Sequence, residues 1–193
     1  MDHELSFSVF NDFIIDNICQ SLINLNKNNL TPIFVCVGSD LVLGDSLGPL
    51  TGTLLKKKGA SPFVYGTLNS PITAKEVEYA KTYLKEMHPN SLIIAIDAAV
   101  GDQDDVGVIR IQNKGLKPGL GVNKKLGVLG DFSIIGVVAS KSMQNYNLFN
   151  ATRLNLVYKM SEAISSGISQ YLSTLKKPYF CLGEKTENIK KIV

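Results

Sequence analysis

Short apolar runs are the clearest structural signal along the chain, and they predict buried strands. Residues 32–38 and 91–97 lack the polar alternation of a half-exposed strand, and this lack is typical of parallel strands covered on both faces. A third run of this kind covers residues 132–139. Two weaker signals, at 63–66 and 106–112, predict a short strand and an alternating one.

Apolar residues at helical spacing occupy the segments around those runs. Residues 5–25 predict an amphipathic helix that covers a sheet, and residues 147–172 predict another. A helix after the first buried strand is expected to begin with Asp45 or Ser46 as its N-cap. The lysines at 56–58, followed by a glycine, predict its end.

The alternation of strands and helices sets the predicted fold class. Thr73 and Glu76 fit a capping box and predict one more helix over about 74–87. Strand and helix in turn predict an α/β protein with a three-layer αβα architecture and a mostly parallel sheet. We expect one domain over residues 1–175, followed by a C-terminal tail, 176–193.

Composition narrows the class of protein. The 193 residues suit one well-buried core, and a net charge of +3 is too small to indicate a nucleic-acid partner. No run of eighteen apolar residues exists and nothing near Met1 resembles a signal peptide, so we expect a cytoplasmic protein without a membrane partner. Cys19, Cys36 and Cys181 are too widely spaced for a disulfide framework or a zinc site.

Two aspartates follow predicted buried strands. Asp45 lies in the loop after the first strand, and Asp97 closes the second. Ligands of open α/β sheets bind beyond the carboxyl ends of the strands, so both acids are expected to face one crevice. A carboxylate pair in a cleft can divide its protonation, with one acid acting as base on a water and the other as proton donor. The pair is therefore the first candidate for catalysis.

The loop that carries Asp45 also fits a serine-hydrolase motif. Residues 44–48 read Gly-x-Ser-x-Gly, which places Ser46 as a nucleophile between a strand and a helix. A serine nucleophile needs a base, and the chain has only His3 and His88. A serine esterase that uses Ser46 stays open as an alternative.

Other polar groups predict no site. His88 ends a predicted helix and is expected to be solvated, and the acidic segment 102–105 lacks the spacing of a calcium loop. Asp131 starts a strand and is expected to cap a turn. No histidine or paired cysteine has the spacing of metal ligands, so we predict neither a metal nor another cofactor.

Three ordered segments resemble a known protein family. Residues 44–49, 94–97 and 117–124 resemble the YyaC-type spore protease family, and the similarity covers about 32–172. That family is related to the germination protease and, more distantly, to the hydrogenase maturation proteases. The resemblance implies a phosphorylase/hydrolase-like, hydrogenase maturation protease-like fold. It also implies a cytoplasmic enzyme of the spore or sporulating cell.

The resemblance further implies an endopeptidase of germination protease type, with small acid-soluble spore proteins as substrates. Asp45 and Asp97 correspond to that protease's two proposed catalytic aspartates. Hydrogenase maturation proteases bind nickel through a Glu, an Asp and a later His, and no histidine follows Asp97, so nickel-guided processing is not expected. A non-catalytic sporulation protein that binds a protein partner remains the main alternative, and a homo-oligomer stays open.

A second set of residues is predicted to bind the substrate around the acids. Glycines allow a loop to approach a bound backbone closely, whereas amide and ammonium groups can contact an acidic chain or polarise a carbonyl. The predicted substrate-binding residues are Gly44, Ser46, Gly119, Gly121, Asn123 and Lys124.

Overall fold

A six-stranded sheet with helices on both faces forms the centre of the molecule. The structure is a computed structural model, and it describes residues 4–59, 63–118, 127–141 and 152–175. The strands are β1 (Glu4–Ser8), β2 (Thr31–Cys36), β3 (Val64–Tyr65), β4 (Ser91–Gly101), β5 (Val108–Gln112) and β6 (Phe132–Ser140). The helices are α1 (Ile14–Leu25), α2 (Leu47–Lys57), α3 (Val77–Met87) and α4 (Leu154–Thr174), with single 3-10 turns at Gly44–Ser46 and Gln103–Asp105.

The sheet is mixed, with a parallel centre. Its strand order is β1-β5-β6-β4-β2-β3. The pairs β2–β3, β2–β4 and β4–β6 are parallel, whereas β1–β5 and β5–β6 are antiparallel. The chain leaves β2 toward β3 at one edge, and it leaves β4 in the opposite direction, toward β5 and β6. The strand order therefore reverses between β2 and β4, and this is where open α/β sheets bind their ligands.

Alternate residues of β2 and β4 bury opposite faces of the sheet. Phe34 and Ile94 pack in the core that includes residues of α1, α2 and α4. Ile33 and Ala95 pack in a second core with α3. Because both faces are covered, the central strands lack polar alternation, as the apolar runs predicted. The predicted α/β layering is confirmed.

The N-terminal prediction of one helix over 5–25 is wrong in its first part. Residues Glu4–Ser8 form β1, which pairs with β5 in the register Phe7↔Ile109, and α1 begins only at Ile14. Leu5 and Phe7 alternate with polar residues, and this is the two-residue period of an edge strand. Five residues are too few for that period to stand out beside a long helical pattern.

The starts of two helices differ from their predictions. The Glu76 carboxylate accepts the Thr73 N–H at 3.0 Å, as a capping box requires, but α3 begins at Val77. The capping contact thus closes a turn that precedes the helix. Helix α4 begins at Leu154, and residues 147–151 of the predicted helix lie outside the described residues. The predicted tail, 176–193, also lies outside them.

Candidate active site

The loop between β2 and α2 folds back tightly on the end of β2, and two glycines allow it. Gly38 has a φ of +137°, and a Cβ there would lie 2.0 Å from the Asp45 carbonyl oxygen. A Cβ at Gly48 would lie 2.0 Å from the Val37 carbonyl oxygen. Only glycine fits such contacts between backbones. Asp45, in the 3-10 turn Gly44–Ser46, is therefore held directly above the carboxyl end of β2.

Asp97 lies one residue beyond the last pair between β2 and β4. That pair is Cys36↔Ile96, and the Val37 N–H donates to the Ile96 carbonyl oxygen at 2.8 Å. Strand alternation places Asp97 on the same face as Ala95, which is the face covered by α3. The sequence signal, an acid that closes a buried run, thus corresponds to a residue at the switch point of the sheet.

The two carboxyl groups interact. Burial, and to a smaller extent the charge of Asp45, raise the pKa of Asp97 to about 8, although the N–H of Ala98 lowers it. That N–H donates to Asp97 Oδ1 at 2.8 Å. Burial also raises the pKa of Asp45, but the Ser39 N–H, which donates to its carboxylate, lowers it. This environment favours a proton on Asp97 and a charge on Asp45 at neutral pH.

Ser39 is a member of this group that the sequence motifs did not reveal. Its N–H donates to the Asp45 carboxylate, and its Oγ accepts the N–H of Leu41 at 3.2 Å. A serine directly after a strand and before a turn is a common local signal for such bonds. That signal predicts a turn, but it does not say which side chain the turn will hold.

Ser46 precedes α2 as predicted, but its side chain does not cap the helix. The hydroxyl instead donates to the carbonyl oxygen of Leu43 at 2.6 Å and is almost fully buried. The expected side-chain capping role is therefore wrong, because a nearer carbonyl oxygen within the loop accepts the hydrogen bond of the hydroxyl. Gly44, also buried, begins the same turn. Their contacts with a substrate stay predictions.

Loss of the Ser46 hydroxyl should destabilise the loop modestly. We expect Ser46→Ala to lower the free energy of unfolding by about 1 kcal/mol, because a buried hydrogen bond is lost. Denaturant unfolding measures this, and Ser173→Ala, which removes a similar bond from an exposed position, should cost less. A serine-directed fluorophosphonate should not label Ser46 in the wild-type protein. Labelling of Ser46 would support the alternative of a serine esterase.

His88 is not the solvated residue that the sequence predicted. Its Nε2 lies 2.7 Å from the Tyr65 hydroxyl, and its ring centroid lies 5.2 Å from that of Phe63 in an edge-on contact. These partners come from β3 and the segment before it, far from His88 in sequence. His88 follows the last residue of α3, which leads to the start of β4. It therefore belongs to the amino end of the parallel strands, away from Ser46.

The remaining predicted residues divide into two groups. Four predicted substrate-binding residues lie outside the described residues, and their roles stay predictions: Gly119, Gly121, Asn123 and Lys124. Asp105 and Asp131, for which no site was predicted, have structural partners instead. Asp105 pairs with Arg110 at 2.6 Å, which helps to hold the acidic turn, and Asp131 accepts the N–H of Ile93 at 2.8 Å.

Neither a cluster of metal ligands nor a membrane-spanning helix occurs among the described residues. Across residues 4–59, 63–118, 127–141 and 152–175, no three His, Cys, Asp or Glu side chains lie together as a metal would require. Within the same ranges, every helix is too short or too polar to cross a bilayer.

Comparisons with known proteins agree with this fold. The family described as "Protein of unknown function (DUF1256)" matches residues 7–167. The uncharacterized protein YyaC of Bacillus subtilis (strain 168) is 40% identical over 138 residues, which are 71% of this chain and 67% of that protein. The crystal structure of the NiFe hydrogenase maturation protease HycI from Thermococcus kodakarensis KOD1 aligns with a TM-score of 0.53 and 17% identity, over 79% of this chain and 99% of that one. The predicted similarity to the maturation protease fold is thereby confirmed.

Proposed function

The chain belongs to the DUF1256 family, and on that premise we propose that it is a peptidase in which Asp45 and Asp97 act together on a water. The observation that carries the proposal is the interaction of the two carboxyls, which helps to raise the pKa of Asp97 to about 8. A carboxylic acid that keeps its proton at neutral pH beside an ionised one is what acid–base hydrolysis needs. The fold shared with a maturation protease is compatible with this chemistry.

The proposed reaction uses each acid in one role. Asp45 accepts a proton from the water as the water oxygen bonds to the peptide carbonyl carbon. Asp97 donates its proton to the departing amine nitrogen as the carbon–nitrogen bond breaks. The pair then holds one proton as before, now on Asp45, and exchange with solvent returns it to Asp97. No covalent intermediate forms, and no serine acts as a nucleophile.

The substrate class rests on the resemblance to the spore protease family. Segments 44–49, 94–97 and 117–124 resemble the spore protease family, and on that resemblance we propose small acid-soluble spore proteins as substrates, in the cytoplasm of the spore or sporulating cell. Asn123 and Lys124 would contact the substrate backbone or its acidic side chains, and Gly119 and Gly121 would allow the close approach.

Incubation of the purified protein with recombinant small acid-soluble spore proteins tests the proposal. Mass spectrometry of the products should show defined cleavage by the wild type, with and without a strong chelator. Asp104→Asn, which changes an exposed acid in the turn Gln103–Asp105, should cleave equally well. Asp97→Asn should not cleave. Binding of these proteins without any cleavage would contradict the proposal and support the non-catalytic alternative.

A further inference from the structure

The loop that precedes Asp45 presents an unusually apolar surface. Among the large hydrophobic side chains in the described part of the chain, Leu41 is the most exposed, at 87%. Val42 and Leu43, which follow it, are half-buried. Single exposed leucines are common on protein surfaces, but Leu41 lies in the loop that leads to one of two interacting carboxyls.

Hydrogen bonds within the loop hold Leu41 in this position. Ser39 Oγ accepts the Leu41 N–H at 3.2 Å, and the Ser46 N–H donates to the Val42 carbonyl oxygen at 3.0 Å. The Ser39 N–H donates to the Asp45 carboxylate. Ser39 therefore links the backbone of Leu41 to the carboxylate that would activate the water. The exposure of Leu41 belongs to the same hydrogen-bonded turn as Asp45.

We propose that Leu41 determines specificity by contacting an apolar side chain of the peptide substrate close to the bond that is cleaved. The inference rests on the proposed function, because it names the substrate of that same site. A bound aliphatic or aromatic side chain would cover Leu41 and remove apolar surface from water. An acidic side chain would gain no such contact and would meet the charges of Asp40 and Asp45.

Peptide capture tests the contact without relying on cleavage. Immobilised Asp97→Asn protein is incubated with synthetic octapeptides that sample all twenty residues at each position, and bound peptides are sequenced by mass spectrometry. We expect enrichment of Leu, Ile, Val, Met and Phe at one position. Adding Leu41→Ser should reduce that enrichment about tenfold, which is the usual scale for one apolar contact. Leu41→Ile should preserve it.

A matched control removes another exposed apolar residue. Met87, at the end of α3 and at the opposite end of the parallel strands, is 57% exposed, and Met87→Ser should leave the enrichment unchanged. Leu41→Asp should shift the preference toward Lys and Arg. Equal enrichment with and without Leu41, or no peptide captured at all, would overturn the inference.

The outcomes separate this inference from the proposed function. Wild-type cleavage of library peptides, with a preference that Leu41→Ser does not change, would leave the peptidase intact and reject the role of Leu41. Capture that depends on Leu41, without cleavage by the wild type, would support the apolar contact and contradict the peptidase.

Discussion

Asp45→Asn and Asp97→Asn should each lower the rate of peptide-bond cleavage about a thousandfold, which is within the usual range for losing a general acid or base. Asparagine keeps the shape of aspartate, so the loop and β4 should be preserved while the proton transfer is lost. The double variant should be hardly slower than either single one, because each acid depends on the other. This non-additivity distinguishes a pair that acts as a unit from two acids that contribute separately.

Single-turnover cleavage, followed by mass spectrometry, measures this prediction. Asp104→Asn is the control for the loss of one negative charge, and its rate should stay within about twofold of the wild type because its exposed position lies outside the pair. Circular dichroism of each variant shows whether the fold is retained. Losses that multiply in the double variant, or a single variant that keeps most of its rate, would contradict the proposed roles.

Asp97→Asn should also stabilise the protein, increasingly so as the pH rises. Folding raises the pKa of Asp97 from its ordinary 3.8 to about 8, so the folded state retains a proton that the unfolded state loses. Below about pH 4 the carboxyl is protonated in both the folded and the unfolded state, so its ionisation does not lower the free energy of unfolding. Stability is then lost as the pH rises, until the folded-state carboxyl also ionises near pH 8. Asparagine cannot ionise and avoids this loss.

The expected gain is large for one substitution. Because Asp97 is half-buried, solvent screens part of the cost of its charge, and the expected gain is about 3 kcal/mol at pH 8. Calorimetry should then show a rise in melting temperature of about 6 to 10 °C at that pH and almost none near pH 4. Asp104→Asn should change the melting temperature little at either pH. A gain that is equal at both pH values, or a loss, would mean that the fold does not raise the pKa of Asp97.

Much of the fold follows from local patterns in the sequence. The runs at 32–38, 91–97 and 132–139 are largely buried, so their apolar character alone was enough to predict strands. Strand β1 was missed because its alternation covers only five residues, and the partner that stabilises it, β5, lies about a hundred residues further along. The start of α3 was predicted at about residue 74 but lies at Val77, because the contact between Thr73 and Glu76 closes a turn without determining where the helix begins.

The candidate site was predictable only in part. Asp45 and Asp97 could be found because strand ends at a switch point follow from the order of elements. The hydrogen bonds from Ser39 to Asp45 and from the Ser46 hydroxyl to Leu43 depend on the conformation of the loop between β2 and α2. No periodic pattern in the sequence predicts that conformation. The surroundings of His88 depend on Phe63 and Tyr65, which only the tertiary fold brings to it.

The most direct test of the central claim is the ionisation of Asp97 itself. Carbon-13 NMR of the aspartate carboxyls, recorded against pH, measures it without any substrate. We expect the Asp97 carboxyl to titrate near pH 8 in the wild type, and at a lower pH in Asp45→Asn, where the neighbouring charge is gone. Titration of Asp97 close to its ordinary value of 3.8, or the same pKa in both proteins, would contradict the coupled pair on which the proposed function rests.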